Sequence, residues 1–171
     1  MAWLRDVFAS YQMVWALLHG QAFFVLGISI LFLTRGGVRL ELARELASLA
    51  AFGFCEAVAA WCGAWLASPG SPGIWVDWLR LVALALGYAF LLAFALQVMM
   101  PSRRQGRWRW VIAGTLLLLW AAGLLLVWLF GASGGHLRLV GEIFARYGMA
   151  LPGGLLGAWA LRHETYRTIE P

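Results

Sequence analysis

His19, Glu56, Asp77, Arg80, Arg138, Glu142 and Arg146 stand inside or at the edges of long apolar runs. An ionisable group in hydrocarbon is costly unless it is paired or hydrated, so each marks an ion pair, a wet cavity or a ligand. Arg138, Glu142 and Arg146 are spaced four apart, which on a helix makes each step a side-chain neighbour and the set an internal ion triplet. A guanidinium beside such a triplet also suits an anionic or carbonyl group, which makes Arg146 a ligand-binding candidate. Asp77 and Arg80 form a three-residue helical pair near a membrane surface. With Arg138 they make up the structural ion-pair set.

His19 shares a helix face with Gln12 and Phe23. It reads first as a hydrogen-bonded structural histidine, with metal or haem ligation and pH sensing as alternatives. Glu56 faces Gly53, Ala60 and Gly63, so it looks into a bundle, where pairing with an arginine outweighs proton transfer. His19, Glu56, Glu142 and Arg146 are therefore the candidates for a polar, ligand-binding cavity. Catalytic patterns are absent: the chain has no H-E-x-x-H, CxxC, G-x-S-x-G or P-loop. His136 and His163 fall near opposite membrane faces from the topology below, so the three histidines do not converge on a metal. The expectation is a chain that is not an enzyme and has no metal or other cofactor.

The elements that must position these residues are five apolar runs, Met13–Leu33, Leu46–Leu66, Trp75–Met100, Trp110–Phe130 and Leu137–Leu161. Each is close to the ~20 residues that cross a ~30 Å hydrocarbon core as helix. A composition of 63% hydrophobic and 12% charged residues excludes an ordinary soluble domain, where charged residues reach ~25%. The net charge of +5 is explained by membrane topology and inner-leaflet lipid rather than by nucleic acid. Arg35, Arg39 and Arg44 occupy the first connector, Arg103, Arg104, Arg107 and Arg109 the third, and Arg162 and Arg167 the tail. The second connector carries no charge and the fourth only a histidine. Arginine-rich short loops stay in the cytoplasm. The fold expected is an all-α polytopic bundle of five transmembrane helices, N-terminus outside and C-terminus cytoplasmic, in the bacterial inner membrane.

The first run is too long for a signal peptide and is expected to persist as a helix. Ser68 to Gly73 is a tight outer turn of breaker residues, and such short connectors make consecutive helices antiparallel neighbours in one up-down bundle. Val38, Leu40, Leu42 and Leu46 interleave with Arg39, Glu41, Arg44 and Glu45, so Thr34 to Glu45 reads as the start of an inner amphipathic helix. Trp3, Trp65, Trp75, Trp78 and Trp128 near outer ends, with Trp108, Trp110 and Trp159 near inner ends, follow the interfacial aromatic belt. Trp15, Trp61 and Trp120 lie deeper and are expected to pack. Cys55 and Cys62, two turns apart at roughly 10 Å, cannot bridge each other. Gly53, Ala57, Ala60 and Ala64, and Gly153 with Gly157, mark faces for close helix contact, in this chain, a homodimer or another membrane subunit. Pro152 should kink or loosen the fifth helix and act as a hinge.

All the intramembrane charges but Glu56 lie in the outer half, and Glu56 is central. An apolar inner half and a polar outer half predict a cavity open to the outside.

The stretch Leu18-His19-Gly20-Gln21-Ala22-Phe23-Phe24-Val25-Leu26-Gly27 precedes an arginine-containing turn. Arg39-Leu40-Glu41-Leu42-Ala43-Arg44-Glu45-Leu46 and Leu49-Ala50-Ala51-Phe52-Gly53-Phe54 follow it. Together these resemble the start of the N-terminal membrane region of bacterial sensor histidine kinases and related signalling proteins. Arg146-Tyr147-Gly148-Met149-Ala150-Leu151-Pro152-Gly153-Gly154-Leu155-Leu156 resembles a later helix of that region. The resemblance implies a membrane sensory input module of a two-component system, with any kinase or other output domain beyond the inward C-terminus. The rival expectation is a small structural or accessory subunit of a larger membrane complex. A transporter component fits less well, since no inverted repeat or broken-helix pair is present.

Overall fold

The computed structural model describes residues 11–35, 43–67, 73–99, 106–130 and 134–169. Their regular elements are all helical: α1 (Gln12–Arg35), α2 (Ala43–Leu66), α3 (Ile74–Met99), α4 (Gly106–Leu129), α5 (Gly134–Ile143), a π-helix (Phe144–Ala150) and α6 (Leu151–Ile169). Among them Gln12–Thr34, Leu46–Leu66, Ile74–Met99 and Trp110–Leu129 are long and apolar enough to cross a membrane. The fifth apolar run is helical throughout, but it is divided into three segments and interrupted by the four-spaced charges. Trp3, Arg39, Arg103, Arg104 and residues 68–72 of the outer turn lie outside the described residues, as does most of the connector read as an amphipathic helix. Gly73, at the end of that turn, has φ +87°, a left-handed conformation that glycine adopts without Cβ strain.

α3 is the hub. Of its membrane-length stretch 72% is buried, against 17% in α1 and in α4. It packs on α2, α4 and all three parts of the last helical run. Small residues set the closest approaches. A Cβ on Gly53 would lie 2.9 Å from the Phe23 carbonyl oxygen, and one on Gly27 3.2 Å from that of Ala50. On the other side of the hub, a Cβ on Gly153 would lie 3.2 Å from the Leu92 nitrogen. The glycine faces predicted from spacing thus serve contacts within this chain, where backbones approach closely enough for dispersion to hold the helices together.

The contacts also fix direction. Gly20 meets Ala57 and Gly27 meets Ala50, so α1 and α2 are antiparallel; Gly63 meets Arg80 and Gly87 meets Cys55, so α2 and α3 are too. Gly141 meets Leu81 and Gly153 meets Leu92, so the last run is parallel to α3. The start of α1, the end of α2 and the starts of α3 and α5 therefore share one end of the molecule. α4 is joined to α5 by the Trp120 indole, whose Nε1–H donates to the Gly141 carbonyl at 3.1 Å.

Sequence neighbours pack as short connectors require, but the bundle is not closed. Among the described residues α1 brings its backbone near α2 alone, and α2 packs only on α1 and α3. The helices form a row that bends around α3. A gap remains between α1–α2 and the last run.

Candidate functional site

That gap is a cavity of about 1030 Å³ at the end where α1, α3 and α5 begin. Each wall comes from a different helix. α1 supplies Trp15 and His19, α2 Glu56, α3 Arg80 and Tyr88, α5 Arg138, and the π-helix Arg146. The helix contacts put His19, Glu56, Tyr88 and Arg146 at one level: Gly20 lies beside Ala57, Cys55 beside Gly87, and Gly141 beside Leu81. Asp77, Arg80, Arg138 and Glu142 lie nearer the end of the bundle. The polar groups are thus arranged in two tiers.

The end tier is an ion-pair network. Arg80 Nη1 is 3.1 Å from Glu142 Oε1. Arg138 reaches the same oxygen through Nε at 3.4 Å and Asp77 Oδ1 through Nη1 at 3.2 Å. Arg146 Nη2 approaches Glu142 Oε2 at 3.6 Å. Asp77 and Arg80, expected as partners along one helix, each reach across to the last run instead. An arginine is long enough to choose a carboxylate on a facing helix when rotation brings it closer, so spacing along one helix does not decide the pairing. Glu142 pairs with three guanidiniums and stands behind the cavity wall rather than in it.

The deeper tier is less saturated. Glu56 is 6% exposed, hydrogen-bonded by Tyr88 and near enough to His19, Arg146 and Arg80 to feel their charge. Its direct partner is a tyrosine hydroxyl and not an arginine. The His19 ring packs on Phe23 at 4.8 Å between centroids and borders the cavity. Arg146 is 53% exposed, and at 3.6 Å its contact with Glu142 is an ion pair too long to be a hydrogen bond. Among the described residues no group of three His, Cys, Asp or Glu side chains could hold a metal ion.

The π-helix explains how Arg146 comes to lie here. Pro152 has no N–H to give the Gly148 carbonyl, and its ring crowds that carbonyl. The turn before it widens, and the Leu151 N–H donates to the Arg146 carbonyl five residues back. Such stretches are frequent at functional sites. The loosening expected at Pro152 thus falls in Phe144–Ala150, next to the charged face.

Tyr88 is the cavity residue to which the spacing of the charges does not point. Its signal is a lone phenol amid the Leu, Ala and Gly of α3, whose buried hydroxyl needs a partner. Comparison with family models, curated proteins and solved structures found no match.

Proposed function

We propose that this chain is the membrane-embedded sensory input module of a bacterial signal-transduction protein of the histidine-kinase type. In this reading the helical run Gly134–Ile169 is a fifth crossing, the N-terminus lies outside and the C-terminus in the cytoplasm. The cavity then opens in the outer half of the bilayer, on the side away from the arginine-rich connectors. A ligand entering it contacts α1 and the last run, whose backbones do not approach one another among the described residues. Differential affinity for two spacings of α1 and the last run shifts the population of one, with Pro152 and the π-helix as hinge. The C-terminal helix carries the change inward. The catalytic output lies outside this chain.

The observation that supports this reading most is the cavity itself, walled by four polar side chains from four different elements at one level. A site built on one or two helices could bind a ligand without moving anything. A site shared between α1 and the last run is sensitive to their separation. The test places spin labels at the exposed positions Leu17 and Leu139 in bilayer nanodiscs and measures their distance distribution against a panel of small anions and amphiphiles. A ligand-dependent change in population is the expected result. No change with any probe, together with Arg146→Leu and Glu142→Gln leaving a fused kinase output intact, would sink the proposal. Stoichiometric co-purification of an unrelated membrane protein would favour the accessory-subunit reading instead.

A further inference from the structure

We infer that the cavity takes an amphipathic anion, with its charged head at Arg146 and its apolar chain directed toward the bilayer. The inference rests on the cavity reading above and adds the chemical class of the ligand. Charge is the first argument. The lining includes three guanidiniums, of Arg80, Arg138 and Arg146, but only one carboxylate, that of Glu56. Asp77 and Glu142, which hold the arginines in place, stand outside the lining. The wall therefore presents more positive than negative charge, although the whole cluster balances. Glu56 already accepts from the Tyr88 hydroxyl and lies within electrostatic reach of His19, Arg146 and Arg80, so a cationic head would meet a carboxylate that nearby positive groups already face.

Arg146 is the arginine best placed to receive the head. Arg80 is 19% exposed and 3.1 Å from its carboxylate, whereas Arg146 is 53% exposed and 3.6 Å away. A guanidinium carries five N–H donors in a planar fork suited to carboxylate and phosphate. His19 faces the same space from α1. Beside these polar groups, Trp15, Leu18 and Leu66 give part of the lining an apolar face, which a small inorganic anion would leave wet. The volume of about 1030 Å³ is at the upper end of pockets that hold drug-sized molecules, ~300–1,000 Å³. Among the described residues α1 makes no backbone contact with the last run, so a chain can leave sideways between them into lipid.

Binding to the chain in phosphatidylcholine nanodiscs tests this. The probes are oleate, methyl oleate, oleylamine and inorganic phosphate, and a second set of nanodiscs contains phosphatidylglycerol. Oleate should bind about tenfold or more tightly than its uncharged ester, the gain of a charge-assisted hydrogen bond. Oleylamine and phosphate should bind more weakly still. Arg146→Gln should remove most of the acid-over-ester preference and Arg146→Lys retain part of it. Loss of oleate binding in phosphatidylglycerol discs would assign the anionic head to a phospholipid; unchanged binding assigns it to a free acid. Equal affinity for acid and ester in the wild-type chain overturns the inference without depending on whether any variant folds. So does unchanged selectivity in a folded Arg146→Gln. Selective binding without a change in helix spacing would fail the sensor reading alone, and a spacing change driven by oleylamine would fail this inference alone.

Discussion

The two halves of α3 solve opposite problems. From Ala89 onward nearly every residue to Val98 is buried, with Gly153 pressed against Leu92 and Phe94 and Val98 packed with Leu46 and Leu49. Small residues there let α2 and α6 pack directly against α3 on its two sides. In the first half, Asp77, Arg80 and Tyr88 replace small residues on the faces toward the neighbouring helices. Long charged side chains hold α3 and the last run together through ion pairs, while α1 and the last run stay apart. The difference shows how one helix can be both a packed core and a cavity wall. Closure follows small residues, and opening follows side chains that need partners or water.

The packed half of α3 is most sensitive at Gly153. Leucine there has no room beside the Leu92 backbone, and Gly153→Leu should cost about 3 kcal/mol, the upper end of overpacking. Gly154→Leu is its control, because nothing lies within 4 Å of a Cβ at that position. Thermal unfolding in detergent should show a large loss for the first and little change for the second; equal losses would mean that the packed half of α3 is not held by this contact. Next comes Glu142→Gln, which leaves three guanidiniums without their shared carboxylate. Breaking a buried pair costs ~3–5 kcal/mol, but Arg138 and Arg146 are half exposed, so about 2 kcal/mol is expected. The smallest effect belongs to Asp77→Asn. Arg138 keeps Glu142 and is 50% exposed, so the loss should stay below ~1 kcal/mol. A double-mutant cycle between Asp77 and Glu142 would sharpen the ranking, since both act through Arg138.

Much of this was legible in sequence because it is governed by short-range rules. Apolar runs gave the long helices, the four-residue spacing placed Arg138 and Arg146 around Glu142, and Gly53 and Gly153 lie on packed faces. The rest depends on how helices rotate and cross, which no local pattern records. Arg80 turns to Glu142 and Arg138 to Asp77, while Glu56 takes Tyr88, because those groups meet across helices. The π-helix precedes Pro152 and buries Ala145 and Met149, both 0% exposed, and its seven-residue extent is not written in the proline alone. That the α1 backbone comes near α2 alone among the described residues is a property of the row, invisible in any one helix.

Under the proposed orientation the cavity level is reached by water from outside the cell, whereas the level of α1 packed around Ile30 is not. Single cysteines at His19 and at Ile30, in a chain with Cys55→Ala and Cys62→Ala, test both parts with a membrane-impermeant maleimide. On intact cells, His19→Cys should be labelled rapidly, and Ile30→Cys, at a site 6% exposed, should stay unlabelled from either side. Labelling of His19→Cys only in inside-out vesicles, or no faster than Ile30→Cys, would contradict the account.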